Sequence, residues 1–188
     1  MEILKKNLLW IVVGAFIFLL VVTGGYYNSF VTANNAIDGR WKQVEVQYQR
    51  RFDLIPNLVE ATKGLMQQEQ KVFGDIAAAR AAYSGAQTQE SKAAAAGQVE
   101  GALGRLLVIM ENYQELKSDQ TVLRLQDELA GTENRVSVER QRYNDLVQQY
   151  NTSISTVPGV VFANLLNFKA RAYFNAATGA ELAPKVKF

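Results

Sequence analysis

Polar side chains that could form a binding or catalytic site recur through the middle of this chain. They are Arg50, Arg51, Asp53, Asn57, Arg80, Glu133, Asn134, Arg140, Tyr143, Asn144, Tyr150 and Asn151. Carboxylates and guanidinium groups on neighbouring helices form ion pairs, so we expect Asp53 to pair with Arg140, or Glu133 with Arg51. Such pairs fix the register of helices more than they add stability. The alternative is a polar cleft that binds a small ligand or another protein.

The composition argues against catalysis. The chain has no cysteine and no histidine, which excludes a thiolate nucleophile, a Ser-His pair and a zinc site of ordinary ligation. The adjacent carboxylates Asp127 and Glu128 point to different faces of a helix and form no dyad. A net charge of +2 gives no basic excess for a nucleic acid. We therefore predict a protein that is not an enzyme, with no cofactor, no metal and no nucleic-acid partner.

The spacing of apolar residues predicts an all-α fold. Apolar side chains recur at helical intervals over residues 41–83, with a kink or break expected between Arg51 and Pro56. Further helices are predicted over residues 91–117 and 119–154. In the last of these, one seam repeats every seven positions, which is typical of packed helices: Val122, Leu129, Val136, Tyr143 and Tyr150.

A final helix is predicted over residues 160–176, and its apolar arc is wide. The residues that form it are Phe162, Leu165, Leu166, Phe168, Tyr173 and Phe174. One face of a small bundle covers less surface than this, so we predict that these side chains contact a second copy in a homo-oligomer. Docking onto the chain's own bundle, or onto the bilayer, would bury the same surface without assembly.

The amino-terminal segment has the composition of a membrane anchor. No charged residue occurs between Lys6 and Asp38, and residues 4–27 are long enough to cross a bilayer. A cleaved signal peptide ending near Thr23 is the alternative. We predict an anchor at residues 1–27 and one domain at residues 28–188. Lys5 and Lys6 favour a cytoplasmic amino terminus, with the body outside the cytoplasm.

Several motifs resemble the LemA family. They are RRFDLIPNLV at residues 50–59, GTENRV at 131–136, the pairs Tyr143-Asn144 and Tyr150-Asn151, Val157-Pro158, and PKV at 184–186. The match extends from Tyr26 to the end of the chain. Two positions depart from the family pattern: Gln114 replaces a usual proline and Val122 a usual phenylalanine. The turn between the second and third helices is therefore less sharply defined.

The resemblance implies a long antiparallel helical bundle following a single transmembrane helix, with no established catalytic activity. It also implies as partners a membrane metalloprotease or a membrane protein with a TPM domain. We therefore predict a self-assembling structural or scaffolding protein of the bacterial inner membrane, crossing it once, with a periplasmic or extracellular body. The alternatives are a membrane-curvature module and an adaptor or receptor for a protease or small ligand. A curvature module would need a basic stripe, but acidic and basic residues alternate over residues 38–71.

Overall fold

The computed structural model describes residues 2–174, and describes their side chains from Trp10 onward. The helices are α1 (Glu2–Lys63), α2 (Gln70–Gly85), α3 (Gln89–Met110), α4 (Gln114–Ser118), α5 (Gln120–Ser155) and α6 (Gly159–Leu165). No strand occurs within this part of the chain, so the predicted all-α fold class is confirmed.

Helix α1 begins in an apolar segment whose side chains are exposed, from Trp10 to Val21. This segment is long and apolar enough to cross a membrane, and none of it is buried in the protein. Helix α3 passes the same test of length and composition, but it packs against α2 and buries Val99, Leu103 and Leu106. The exposed segment of α1 therefore indicates membrane association.

The chain divides into two compact units, and the first comprises residues 1–40 and 142–173. In unit 1, α1 runs antiparallel to the end of α5 and the following α6. Asn34 of α1 contacts Tyr150 of α5, and the earlier Tyr26 contacts the later Phe162 of α6. Its core side chains are Phe30, Ile37, Tyr143, Val147, Tyr150, Ile154 and Phe162. Gly159 lies against the backbone of Ser153, a position that has no room for a Cβ. The Val157–Pro158 peptide bond just before it is cis.

Unit 2 contains residues 41–141 and Phe174. Its core is built from the apolar faces of α1, α2, α3 and α5, and includes Val44, Tyr48, Phe52, Ile55, Leu58, Ile76, Val99, Leu103, Leu106, Val122, Leu129 and Val136. Every member of the predicted seven-residue seam is buried, in one unit or the other, so that prediction is confirmed. Thr132 is also buried in the seam, where its hydroxyl donates to the carbonyl oxygen of Leu129 at 2.7 Å.

Of the kink or break predicted between Arg51 and Pro56, the break is wrong, because α1 continues through Pro56 and ends at Lys63. Ile55 and Leu58 are completely buried on either side of the proline, and this packing holds the helix where the missing N–H would favour a break. Asp53 does not cap a new helix but accepts a hydrogen bond from Gln49 at 2.7 Å. The chain turns instead over residues 64–69.

Two further helix predictions need correction. The helix predicted over residues 91–117 is interrupted after Met110 and resumes as the short α4. The last predicted helix is much shorter than expected: α6 ends at Leu165, and Asn167 adopts a positive φ of 58°. Asparagine tolerates this left-handed conformation, which terminates helices. Residues 168–174 have no regular secondary structure, and the last two residues of the predicted helix lie outside the described residues.

Candidate functional site

Four charged side chains of unit 2 meet near the Tyr48 hydroxyl in one cluster, which we call the arginine cluster: Tyr48, Arg51, Glu100, Glu133 and Arg140. Arg51 on α1 pairs with Glu133 on α5, one of the two pairings expected from the sequence. The other is wrong, since Arg140 binds Glu100 on α3 rather than Asp53. The same Glu100 lies 4.0 Å from Nη1 of Arg51. Two arginines and two glutamates give the cluster no net charge.

Aromatic rings enclose Arg140. Its Nε donates to the hydroxyl oxygen of Tyr48 at 2.9 Å. Its guanidinium carbon lies 4.6 Å from the ring centre of Phe174 and 5.4 Å from that of Tyr48. Such cation–π contacts are favourable where the cation is partly desolvated. Phe174 stacks in turn on Trp41, with 5.9 Å between ring centres.

Burial governs the ionisation of the arginine cluster. Tyr48 is completely buried, and desolvation raises the pKa of its hydroxyl above the usual value although Arg140 acts to lower it. Burial also lowers the pKa of Arg51, whose Nε has no hydrogen-bond partner in the described part of the chain. A phenol with a raised pKa stays protonated at neutral pH, and the two glutamates of the cluster form ion pairs with its arginines.

A second ionic contact joins α1 to α3. Glu45 accepts hydrogen bonds from Lys42, at 2.7 Å, and from Lys92. Burial acts to raise the pKa of Glu45, but the two lysines outweigh it and hold that pKa below its usual value. The neighbouring Tyr83 packs edge-on against Phe52, with ring centres 4.7 Å apart, and burial raises its pKa to about 12.

In unit 1, side chains of α5 bind the backbone of residues 168–173, which we call the strap. Asn151 binds both polar groups of one residue, donating to the carbonyl oxygen of Arg171 at 2.9 Å and accepting from its N–H at 2.8 Å. The hydroxyl of Tyr150 donates to the carbonyl oxygen of Lys169 at 3.1 Å. That of Tyr143 donates to the carbonyl oxygen of Ala172 at 3.2 Å. The strap is not helical, so its peptide groups lack helical hydrogen bonds, and these side chains bind them instead.

Side chains of α1 complete the binding of the strap. Asn34 donates to the Tyr150 hydroxyl at 3.3 Å. Asp38 forms an ion pair with Arg171. Burial acts to lower the pKa of Arg171, but the hydrogen bond that Arg171 donates to Asp38, the charge of that carboxylate and the contact with Tyr143 together raise it. The strap is therefore held by both long helices of unit 1.

The predicted polar residues thus fall into three groups. Arg51, Glu133 and Arg140 belong to the arginine cluster, and Tyr143, Tyr150 and Asn151 hold the strap. Arg50, Asp53, Asn57 and Asn134 are exposed, whereas Arg80 and Asn144 are partly buried. Sequence reasoning missed Glu100, Asn34 and Asp38. Helical spacing could have indicated the first two as inward-facing. Glu100 lies four residues after Ala96, and Asn34 lies four residues after Phe30, and both of these apolar residues are buried.

Most of the side chains predicted to contact a second copy pack inside the protein. Phe162 stacks on Tyr26 with ring centres 4.5 Å apart, and Phe168 packs on Phe30 at 5.2 Å. Phe174 covers Arg140. Leu166 is partly buried, whereas Leu165 and Tyr173 are exposed. Intramolecular docking, the alternative left open by the sequence, therefore accounts for most of the apolar arc.

A shallow groove of about 400 Å³ lies between the end of α1 and α2. Its lining is mainly apolar, with charged residues at the rim: Ile55, Pro56, Val59, Glu60, Lys63, Phe73, Ile76, Ala77 and Arg80. It holds no nucleophile paired with a base. Among residues 10–174, no three carboxylates approach closely enough to hold a metal ion.

Comparison with known proteins agrees with this architecture. A family model described as the LemA family matches residues 40–188. Magnetosome proteins MamQ 1 and MamQ 2 of Paramagnetospirillum magneticum are each 28% identical over 174 aligned positions, covering 79% of this chain and 64% of the relative. Magnetosome protein MamQ of Magnetospirillum gryphiswaldense is 27% identical over 175 positions, with the same coverage. The chain therefore spans slightly less than two thirds of the length of these relatives. Since the family model matches most of the chain, this protein belongs to the LemA family.

Proposed function

We propose that this protein is a non-catalytic structural component of the bacterial inner membrane, crossing it once and holding its helical body at a fixed position outside the cytoplasm. The observation that carries this proposal is the continuity of α1. The helix runs from Glu2 to Lys63 without interruption, so the apolar segment and the folded body share one helix. A mobile tether between anchor and body is absent from this part of the chain.

Packing stiffens the junction between the apolar segment and the body. Tyr26 lies four residues after Val22 and stacks on Phe162, and Tyr27 contacts the edge of Phe168 at 5.9 Å between ring centres. The first body residue with a completely enclosed side chain, Phe30, follows within one helical turn. A body attached in this way transmits position and orientation to whatever it binds, which suits a scaffold.

The polar groups support a structural role because they are used within the fold. The arginine cluster is electrically balanced, and the polar residues of unit 1 bind peptide groups of the strap. Neither leaves an activated nucleophile or a general base facing an open pocket. The names of the three relatives refer to a cellular structure, the magnetosome, and name no reaction.

We also propose that copies assemble through the membrane segment. The side chains of this segment are exposed from Trp10 to Val21. No other side chain in the described part of the chain packs against Gly14, so a neighbouring helix has room to approach there. In a bilayer, small residues allow helices to approach closely. The assembled copies would then present an ordered array of bodies to other proteins. The alternative to self-association is binding to a membrane metalloprotease or to a TPM-domain protein.

Crosslinking in native membranes, followed by mass spectrometry, tests the proposed function. We expect crosslinks between copies, and mass photometry in mild detergent should show oligomers that Gly14→Leu weakens while the apolar exchange Phe18→Leu does not. A monomer in every detergent, with crosslinks only to a protease or another foreign protein, would replace the scaffold by an adaptor. Turnover of a small substrate by the purified protein would contradict the non-catalytic assignment.

A further inference from the structure

Three exposed aliphatic side chains line one edge of α6 and the turn before it. Val157 lies in the turn before α6, and Val161 and Leu165 lie on one side of the helix because they are four residues apart. They are 84%, 61% and 71% exposed, while the opposite side of α6 buries Phe162 and Ala163. We call this line of side chains the α6 edge. Among the side chains of unit 1 that the structure describes, none covers this edge.

The α6 edge belongs to the end of unit 1 that is nearest the apolar segment of α1. Helix α5 descends along α1, because Tyr150 meets Asn34, and Gly159 then reaches Phe30. Helix α6 follows with Phe162 against Tyr26. Tyr26 lies four residues, or about 6 Å of helix, after Val22. Tyrosines at this distance from a span lie at the level of the lipid headgroups.

The charge pattern of this end matches its position. No charged residue occurs between Asp145 and Lys169, the stretch that contains α6, and none occurs between Lys6 and Asp38 in the helix against which it packs. Charged groups return at the other end of the strap, where Asp38 binds Arg171. A surface that faced water would not need to exclude charge over both of these segments.

Polar groups beside the α6 edge are satisfied within the helix. The hydroxyls of Ser153, Ser155 and Thr156 donate to the carbonyl oxygens of Tyr150, Asn151 and Thr152 at 2.7, 2.6 and 2.9 Å. Hydroxyls bonded in this way lose little when they leave water. Entry of the turn into a less polar layer therefore carries a small desolvation penalty.

We infer that the α6 edge inserts into the headgroup layer of the same bilayer that the apolar segment crosses, so that Val157, Val161 and Leu165 contact lipid. This inference rests on the proposed membrane anchor. It gives the body a second attachment beside the span, which prevents rotation and tilting of the body about a single helix. Apolar side chains on such interfacial elements lie about 5–10 Å deep, at the boundary of headgroups and acyl chains. Asn164, which precedes Leu165 in α6, is exposed and has an amide group that binds phosphate and ester oxygens.

The chain contains no cysteine, so single cysteines can be introduced directly for labelling. We would place the fluorophore NBD at Val161→Cys or Leu165→Cys in the full-length protein, reconstituted in phosphatidylcholine–phosphatidylglycerol vesicles. Phe18→Cys in the apolar segment and Val138→Cys, exposed on α5, serve as controls. Quenching is measured with aqueous iodide and with lipids that carry a nitroxide at a shallow or a deep acyl position.

The inference predicts that NBD at positions 161 and 165 loses iodide quenching and is quenched most by the shallow nitroxide. The deep nitroxide should quench position 18, and iodide should quench position 138. Iodide quenching at 161 and 165, with position 18 still embedded, would overturn the α6 inference and leave the anchor standing. Protection from both iodide and lipid nitroxides would show that a second copy covers the edge, which also overturns it. Iodide quenching at position 18 would show that the apolar segment does not lie in the bilayer, which contradicts the membrane anchor itself.

Discussion

At the residue scale, Arg140 joins three helices through one guanidinium group. It extends from α5, binds Glu100 on α3 and donates to Tyr48 on α1, and Phe174 covers its face. The Arg140 side chain is 21% exposed and that of Glu100 is 19% exposed. The pair is therefore screened more than a fully buried one, for which removal of one partner costs about 3–5 kcal/mol.

We expect Arg140→Ala to lower the free energy of unfolding by about 2–3 kcal/mol, because it leaves Glu100 and the buried Tyr48 hydroxyl without their donor. The double variant Arg140→Ala/Glu100→Ala should lose less than the sum of the two single variants. Chemical denaturation of the purified protein measures both quantities. Arg124→Ala, exposed on the same helix, is the control and should change little. Unchanged stability in Arg140→Ala, together with loss of function in cells, would favour a role in ligand binding instead.

Glu45 provides a test by pH. Lys42 and Lys92 hold its pKa in the folded protein below the usual value. The contribution of Glu45 to stability is therefore fully present above the usual glutamate pKa and is lost as the pH falls through the lower, folded value. We expect wild type to melt above Glu45→Gln at about pH 7, and the difference to shrink towards about pH 3. The same comparison with the exposed Glu128→Gln should show no such trend, and a difference independent of pH would exclude the ionic contact.

At the element scale, the strap depends on side chains because it lacks helical hydrogen bonds of its own. Asn151→Ala removes two hydrogen bonds to Arg171, each worth about 1 kcal/mol, so the population of open strap should rise about thirtyfold. Trypsin cleaves after lysine and arginine, and Lys169 and Arg171 both lie in the strap. The rate of cleavage there therefore reports opening of the strap. Cleavage there, followed by mass spectrometry, should be faster in Asn151→Ala than in wild type or in the exposed control Gln148→Ala. Equal rates would show that the strap is held by other contacts.

The turn into α6 depends on the absence of a side chain at Gly159. A Cβ at this position would lie 2.0 Å from the carbonyl oxygen of Ser153, so the backbone must shift. We expect Gly159→Ala to destabilise the protein by about 1–3 kcal/mol, the range of overpacked interiors. Gly101→Ala is the matched control, because no atom lies within 4 Å of its added Cβ. A helical alanine there should be neutral or stabilise by up to about 1 kcal/mol, and the same gain at Gly159 would contradict the close packing.

The helices of the body were predictable where burial follows a period. The seam from Val122 to Tyr150 is buried at each of its positions, since a repeat of seven matches two helical turns. Pro56 misled the local reading because packing around Ile55 and Leu58 outweighs the proline's preference. The segment after Leu165 misled it for the opposite reason. Its apolar residues have a helical spacing, but they pack in a strap whose peptide groups are bound by Asn151 and Tyr150, partners distant in sequence.

The site was predictable in part for the same reason. Arg51 and Glu133 were expected to meet because oppositely charged side chains on neighbouring helices form ion pairs. The choice of Glu100 as partner of Arg140 depends on how α3 packs against α1 and α5, which no local pattern records. The strap contacts were missed. Most of them join side chains to backbone groups and leave no complementary pair in the sequence, and the ion pair of Asp38 with Arg171 joins residues far apart in the chain.

At the scale of the whole molecule, the proposed position of the body outside the cytoplasm rests on the placement of charge along α1. Lys5 and Lys6 lie at the start of the apolar segment, and the next positive charges, Arg40 and Lys42, follow only after a further stretch of uncharged helix. Positive charges act on orientation within about 15–20 residues of a span, so the nearer pair dominates. This favours a cytoplasmic amino terminus and a body outside the cytoplasm.

We expect a membrane-impermeant maleimide to label Val138→Cys in spheroplasts, because this exposed position of α5 belongs to the body. Glu2→Cys, at the other end of the span, should be labelled only after the membrane is permeabilised. The cysteine-free parent provides the background, and labelling of both variants after lysis shows that each thiol is reactive. Labelling of Glu2→Cys but not Val138→Cys in intact spheroplasts would reverse the orientation and place the scaffold in the cytoplasm. Labelling of both would mean that the apolar segment does not cross the membrane, and the anchor on which the proposed function depends would fail.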